Sequence, residues 1–538
     1  MKRRTFLRRL SNAALLGAPA LLPACPVRGS RVHILGSGIT GLCVGALLAK
    51  EGFHVHVLES HPELLGGHAA SFERRGLRFC VGPQYVWGFR GDGIGARVLQ
   101  HLGLADDVPF DSMDPDGFEV YRIGEKAGIT IPMGLEPFRQ TAMDTYPDDH
   151  AGLDRFFSYV QDLHQGATVV DRLALYTRGE PAMVVALLLD EALPARVKIR
   201  FHQCRRWSLA RLFDHCELSS AARRFLYATS GLFVENESDV SCIAYAAATG
   251  FLHAGADYPR YGFQSLVRGL SDSITRAGGI VQTGKRISSL RRSGNRVSRV
   301  DCLDGDSFAT DLVISTLSPR ITFGLIAPRV PWKAFYDPSN SAVSAFIGVR
   351  DYPTLPHQLA RRGTWWQDGT GPVDFQTPDM TRPPRLLALA SPSSNGNYNM
   401  NAYPGDQSLI VFAPGSFAQA AEAYSEGSAA HDDLRAQLTA QLLDTLETQL
   451  LPDLRQYIRF LEVQTPYDLY LRTDGEAANV YGRRLTAESL LTRPYAQLGV
   501  GNLHVACATA GMPGIATAFQ TAALLAEQLT NRALPGNC

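Results

Sequence analysis

An α/β fold built on a parallel sheet is what the sequence predicts, and three observations carry the prediction. The short apolar run Val32-His33-Ile34-Leu35 ends in Gly36-Ser37-Gly38-Ile39-Thr40-Gly41. An apolar helical pattern follows and gives way to Val55-His56-Val57-Leu58, closed by Glu59 and Ser60. Strand-like runs then return far along the chain, at 278–283, 311–316 and 502–506, so the sheet is expected to be assembled from distant segments. Strand, glycine turn, helix and strand in this order form a Rossmann-like unit.

Each glycine of the first turn has a physical role. Gly36 permits the tight turn, Gly38 lets the backbone approach a diphosphate, and Gly41 lets the helix pack on the strand. The helix N-terminus behind Ser37, Ile39 and Thr40 points free N–H groups and the positive end of its dipole at the phosphates. Gly38 is expected to hold a backbone angle that a β-branched residue avoids. Glu59, with Ser60 beside it, ends the second strand where a ribose hydroxyl needs an acceptor.

A second glycine run decides which dinucleotide. Gly66-Gly67-His68-Ala69-Ala70-Ser71-Phe72 precedes Gly76-Leu77-Arg78-Phe79 and Gly82-Pro83-Gln84-Tyr85. These residues resemble the second FAD fingerprint of the glutathione-reductase-like, amine-oxidase-like flavoproteins, where GG-R-x-x-S/T leads to G-x-x-F-D-x-G-P. The resemblance implies FAD, held in part by Gly66, Gly67, His68, Ser71, Gly82, Pro83 and Gln84. His68 stands where that fingerprint has arginine, and Cys80 where it has aspartate.

Composition bounds the rest. A chain of 538 residues can bury a large core and is long enough for two domains. Lys plus Arg and Asp plus Glu are each 52, a balance that argues against a nucleic-acid partner. The nine cysteines are scattered without a CxxC, so no metal site is expected. At the start, Arg3-Arg4 and Phe6-Leu7 precede an apolar run too short to span a bilayer, which resembles a twin-arginine export signal. Leu22-Pro23-Ala24-Cys25 resembles a lipoprotein box, which would make Cys25 a lipid anchor. A periplasmic location and a peripheral membrane contact follow from that reading.

Along the chain, 92–104 reads as a short helix and 118–131 as a hairpin. Leu153, Phe156, Phe157 and Val160 share one face of a helix that begins near His150. Residues 182–233 are helix-rich, including 184–189, and Trp365-Trp366 and 398–403 read as aromatic loops over a groove. Ile287 lies on a strand expected to return to the FAD sheet. At the end, Gly511-Met512-Pro513-Gly514-Ile515 turns into a helix, with Pro513 suited to an early helical position. Its N-terminus is expected to face the flavin ring and stabilise negative charge there.

The expected organisation is an export signal over 1–25 and FAD-binding segments over 30–145, 258–330 and 481–538. Substrate-domain segments, α+β overall with a helical first part, occupy 146–257 and 331–480.

Taken together, the two glycine runs, Tyr146-Pro147-Asp148, Tyr258-Pro259, Thr465-Pro466, Tyr481-Gly482 and Met512-Pro513-Gly514 resemble the phytoene desaturase and retinol saturase family. That resemblance implies an FAD-dependent oxidoreductase that desaturates, saturates or isomerises carbon–carbon bonds of a long isoprenoid, carotenoid or lipid. Tyr85, Tyr467 and Tyr481 are the polar side chains expected at the chemistry. An amine-oxidase-like flavoenzyme and a non-catalytic lipid-binding protein of the same fold are the alternatives. No second GxGxxG has a strand and helix around it, so NADPH has no evident seat. Oxygen, a quinone or another carrier is then the expected electron acceptor, which favours desaturation or isomerisation.

Overall fold

The computed structural model describes residues 28–124, 128–173, 187, 190–326, 337–395, 405–491, 500–509 and 513–532. The expected export signal and lipid anchor at Cys25, Gly511, Met512, the aromatic run 398–403 and most of 184–189 lie outside the described residues.

Five strands form a parallel sheet: β1 (Arg31–Leu35), β2 (His54–Leu58), β3 (Ile280–Gln282), β4 (Leu312–Ser315) and β5 (Leu503–Val505). Their spatial order is β3-β2-β1-β4-β5, with Val32 level with Val55 on one side and Leu312 on the other. The fold is therefore the predicted α/β class, with a Rossmann-like sheet drawn from distant parts of the chain. Val32, Ile34, Val55, Val57 and Ile314 are buried, as a parallel sheet covered on both faces requires.

One face is covered by three helices, α1 (Ile39–Lys50), α2 (Phe263–Arg276) and α3 (Ile515–Thr530). Helix α1 is apolar nearly all round and packs against both of the others, with every residue from Ile39 to Ala49 buried. Gly45 makes this possible: a Cβ there would lie 2.9 Å from Ile34 Cδ1 and 3.0 Å from Ile274 Cδ1. The opposite face carries a three-stranded meander, 287–293, 296–302 and 307–309, whose Leu290, Val297 and Val300 pack on Leu35, Leu58 and Val313.

A second sheet has seven strands, in the order 458–464, 341–350, 406–415, 386–390, 363–367, 119–123 and 129–131. The hairpin at 118–131, expected within the first FAD-binding segment, instead completes this sheet. It does so through the parallel pairing of Glu119–Ile123 with Gly363–Gln367, which sets Tyr121 beside Trp365. Trp365-Trp366 is accordingly strand rather than loop, and both rings are buried on opposite faces of it. Aromatic side chains suit a pleated, buried strand, which is the reason the loop reading fails.

Helices at 135–145, 150–173, 195–204, 209–215, 220–226 and 242–254 form a layer beside this sheet. The stripe of Leu153, Phe156, Phe157 and Val160 is buried within it, as its spacing predicts. Among the described residues no helix is long and apolar enough to cross a membrane.

Because α1 sits against β1 and α2 only where Gly45 leaves room, Gly45→Val is expected to destabilise the fold by about 1–3 kcal/mol through overpacking. Chemical denaturation of the purified variant checks this; an unchanged midpoint would show that the helix can shift.

Candidate active site

A cavity of about 650 Å³ opens between the carboxyl ends of the parallel strands and the inner face of the seven-stranded sheet. This is where an open parallel sheet offers backbone groups to a ligand. Gly36, Gly38, Ile39 and Thr40 line one end, together with Glu59, Ser60, Gly66, Gly67 and His68.

The first glycine turn is built as expected, with one correction. Gly36 has φ +92°, and a Cβ there would lie 2.6 Å from Thr316 Oγ1. At Gly41 a Cβ would meet the Gly36 carbonyl oxygen at 2.6 Å, so the helix can approach the strand only without a side chain. Gly38 differs: its φ and ψ of −58° and 161° are open to any residue, and the nearest atom to an added Cβ is 4.0 Å away. Bare space over its backbone, not an unusual angle, is what glycine preserves there. Helix α1 starts with no side-chain cap, so its first N–H groups face the cavity unpaired by side chains.

Glu59 organises this end. Its Oε2 accepts from the Ser37 backbone N–H at 2.8 Å and from Ser37 Oγ at 2.6 Å, while Oε1 accepts from the His61 N–H at 2.8 Å and from Ser60 Oγ at 3.3 Å. Ser37 is thus fully buried and acts behind the loop rather than on the cavity wall. The second glycine run closes over the first: the Gly66 N–H donates to the Ser37 carbonyl at 3.1 Å, and a Cβ on Gly67 would lie 3.3 Å from Gly38 Cα.

The two departures from the fingerprint are both neutral groups. His68 faces open cavity space yet lies so deep in the protein that burial, with the nearby Arg472 charge, lowers its pKa to about 4. Burial pushes the Cys80 thiol up to about 12, and Ser71, also buried, hydrogen-bonds it from behind the wall. Gly82, Pro83 and Gln84 line the cavity, with Gln84 Nε2 donating to the Gly82 carbonyl at 3.0 Å; Ile287 lines it too. At the far side Pro513, Gly514 and Ile515 reach it from the start of α3. Pro513 precedes the helix instead of opening it, because Gly514, with φ +105°, is the residue before the first turn.

The structure brings two of the three expected tyrosines to the cavity. Tyr85 donates to Glu119 in a short hydrogen bond; Tyr121 Oη donates to the same carboxylate at 2.8 Å and Trp365 Nε1 at 3.2 Å. Burial, then the Glu119 charge, holds the Tyr85 pKa well above its ordinary value, and burial raises that of Glu119 despite its three donors. Tyr481 also lines the cavity, and burial pushes it up to about 12. Tyr467 is elsewhere: its ring stacks on Tyr424 at 4.2 Å and on Phe417 at 6.0 Å, outside the cavity wall. Its position on the helix Pro466–Thr473 turns it to that aromatic cluster, while Leu469 and Arg472 turn inward. Sequence reading missed Glu119, although an acid in phase with the buried Tyr121 and Ile123 of one strand is a legible signal.

Residues 39–529 match the family described as flavin containing amine oxidoreductase. The chain belongs to that family. Within this flavin-containing amine oxidoreductase family, a phytoene desaturase (lycopene-forming) of Pseudescherichia vulneris is 24% identical, over 92% of this chain and 99% of its own. The all-trans-retinol 13,14-reductase of Homo sapiens is 31% identical over 48% of this chain, a match that spans 42% of its own length, so this chain aligns with less than half of it. Among solved structures, cyclohexylamine oxidase from Brevibacterium oxydans IH-35A has the same fold, with a TM-score of 0.56, 16% identity and coverage of 94% of this chain and 100% of its own. The flavin that the family description implies fits the residues present: bare backbone at Gly38 and Gly67, an uncapped helix start, an anchored acid at Glu59, and no obstructing side chain over the loop.

Gly38→Val is expected to fold normally but to retain little flavin, because the added side chain projects into ligand space from a Cβ that lies 4.0 Å from its nearest neighbour, Thr316 Oγ1. Flavin absorbance per protein, read beside a thermal melt, checks this. A folded variant as yellow as wild type contradicts the loop assignment.

Proposed function

We propose that the protein is an FAD-dependent oxidoreductase acting on carbon–carbon bonds of a long hydrophobic isoprenoid, carotenoid or lipid. One observation carries the reading: the cavity that starts at the glycine turns continues into a chamber walled by Ala167, Phe201, Phe233, Ala244, Ala248 and Phe251. Alkyl and aromatic walls reward an extended apolar chain and offer a polar amine substrate little. The names of the retinol and phytoene relatives agree with such a substrate.

Gly36, Gly38, Gly67 and Glu59 would hold the dinucleotide at one end, with Ile287, Gly514 and Ile515 near the other. When bound, FAD supplies the hydride acceptor or donor. The chain's own residues exclude water, hold the substrate extended in the apolar chamber, and hold a proton between Tyr85 Oη and the Glu119 carboxylate. Glu119 orients that hydroxyl, and Trp365 and Tyr121 fix Glu119 in turn. Net desaturation or isomerisation, with a quinone or oxygen as acceptor, is part of the proposal. So are export by the twin-arginine route, anchoring at Cys25 and a peripheral membrane contact.

The test is anaerobic mixing of the purified, flavin-loaded protein with phytoene-type carotenoids, retinoids, membrane lipid extracts and a panel of amines. Bleaching of the yellow colour by an isoprenoid or lipid, with recovery on adding a quinone analogue, is expected. Bleaching by amines alone would contradict the reading, and product that forms only after prior reduction would reverse its direction.

Tyr85→Phe is expected to lower turnover about 100-fold while flavin content stays unchanged. The sign of the pH effect follows from the raised pKa: Tyr85 keeps its proton through neutral pH, and activity that depends on it falls only above the ordinary tyrosine value of 10.0. Steady-state rates from neutral to strongly alkaline pH check both statements.

A further inference from the structure

Arg472 sits in the last turn of the helix Pro466–Thr473, on the cavity wall. Its Nε and Nη1 are buried and have no hydrogen-bond partner. The acid that acts on it most, Glu462, already faces Arg74 at 3.6 Å. A partly buried guanidinium with two unbonded nitrogens, whose nearest carboxylate is engaged elsewhere, is a place where an anion entering the cavity would be stabilised.

The surroundings identify that anion's place. His68 feels the Arg472 charge, and its ring hydrogen-bonds the Asn479 backbone. His68 directly follows Gly67, whose backbone lies against Gly38. Arg472, His68, Gly67 and Gly38 line the same cavity, and Asn479, which bonds His68, follows closely on the helix that carries Arg472, so Arg472 stands on the wall shared with the two glycine turns. Position 68 itself contributes no charge, since its imidazole is neutral at physiological pH, and neither does Cys80. The helix bearing Arg472 is firmly held: Thr465 and Asp468 form a capping box, and Arg435 pairs with Asp468 at 3.0 Å.

We propose that Arg472, reaching in from the far end of the chain, supplies the cationic contact for the diphosphate of FAD that a side chain at position 68 would otherwise provide. This rests on the FAD reading above. A guanidinium suits the task because its planar fork can donate two parallel hydrogen bonds to phosphate oxygens. Before the cofactor binds, the unpaired charge destabilises the fold; binding turns it into a favourable contact.

The experiment uses the full chain, freed of flavin and titrated with FAD and separately with ADP-ribose, which carries the diphosphate without the flavin ring. Arg472→Met is expected to weaken both ligands by roughly 10- to 100-fold, the loss of hydrogen bonds to a charged group. Its flavin-free form should melt at or above the wild-type temperature, the reverse of losing a structural arginine. Arg472→Lys should keep most of the affinity, and adding His68→Arg to Arg472→Met should restore it. Unchanged FAD affinity in folded Arg472→Met overturns the proposal. So does weakening of FAD alone, which would place the contact on the flavin ring, or a lower flavin-free melting temperature without rescue by His68→Arg. If the wild-type chain binds no FAD, the cofactor reading fails first, and that outcome is distinct from these.

Discussion

The structure depends on one constraint: the carboxyl edge of the parallel sheet must stay bare of side chains while the helix behind it packs closely on strand and neighbouring helix. Gly36, Gly38 and Gly67 leave backbone exposed at that edge, and Gly41 and Gly45 let α1 press against β1 and α2. Glu59 joins the two demands. Its carboxylate receives Ser37 and His61 from the loops, so the turn that faces the ligand is held from behind by buried hydrogen bonds. In a low-dielectric setting such charge-assisted bonds are strong, and they preorganise the site before any ligand arrives.

The second sheet answers a different need: the side chains it turns to the cavity, among them Trp365, Ala388 and Phe412, are mostly apolar, and polar groups beside them are held by hydrogen bonds. Glu119 is the clearest case, because three donors converge on one buried carboxylate and two of them, Tyr85 and Trp365, also line the cavity. An acid kept there against its desolvation cost is the kind of group that serves a site rather than a core. Arg472, with Nε and Nη1 unpaired, is the counterpart.

Local signals in the sequence were informative where the chemistry is local. The turn at 36–41, Glu59 and the run 66–71 are short motifs whose spacing reflects backbone geometry, and the structure places them around one cavity. Signals failed where long-range pairing decides the outcome. Trp365 resembles a loop aromatic until the strand 119–123 is laid beside it, and nothing near Glu119 in sequence announces that Tyr85 and Trp365 will meet it. Tyr467 follows Thr465 and Pro466 in sequence, but the phase of the short helix turns it to Tyr424 and away from the cavity. Gly38 stands in the turn the sequence predicts, but its angles are ordinary, and the open space over its backbone is what glycine preserves.

The most direct measurement is an experimental structure of the full-length protein purified without added cofactor or substrate. Expected is continuous density for FAD with its diphosphate over Gly38 and Gly67, its ribose near Glu59 and its ring system toward Ile515, with the chamber beyond open to an apolar chain. A dinucleotide lying elsewhere, or a ligand occupying the chamber while the glycine turns remain bare, would contradict the single cavity as the shared seat of cofactor and substrate.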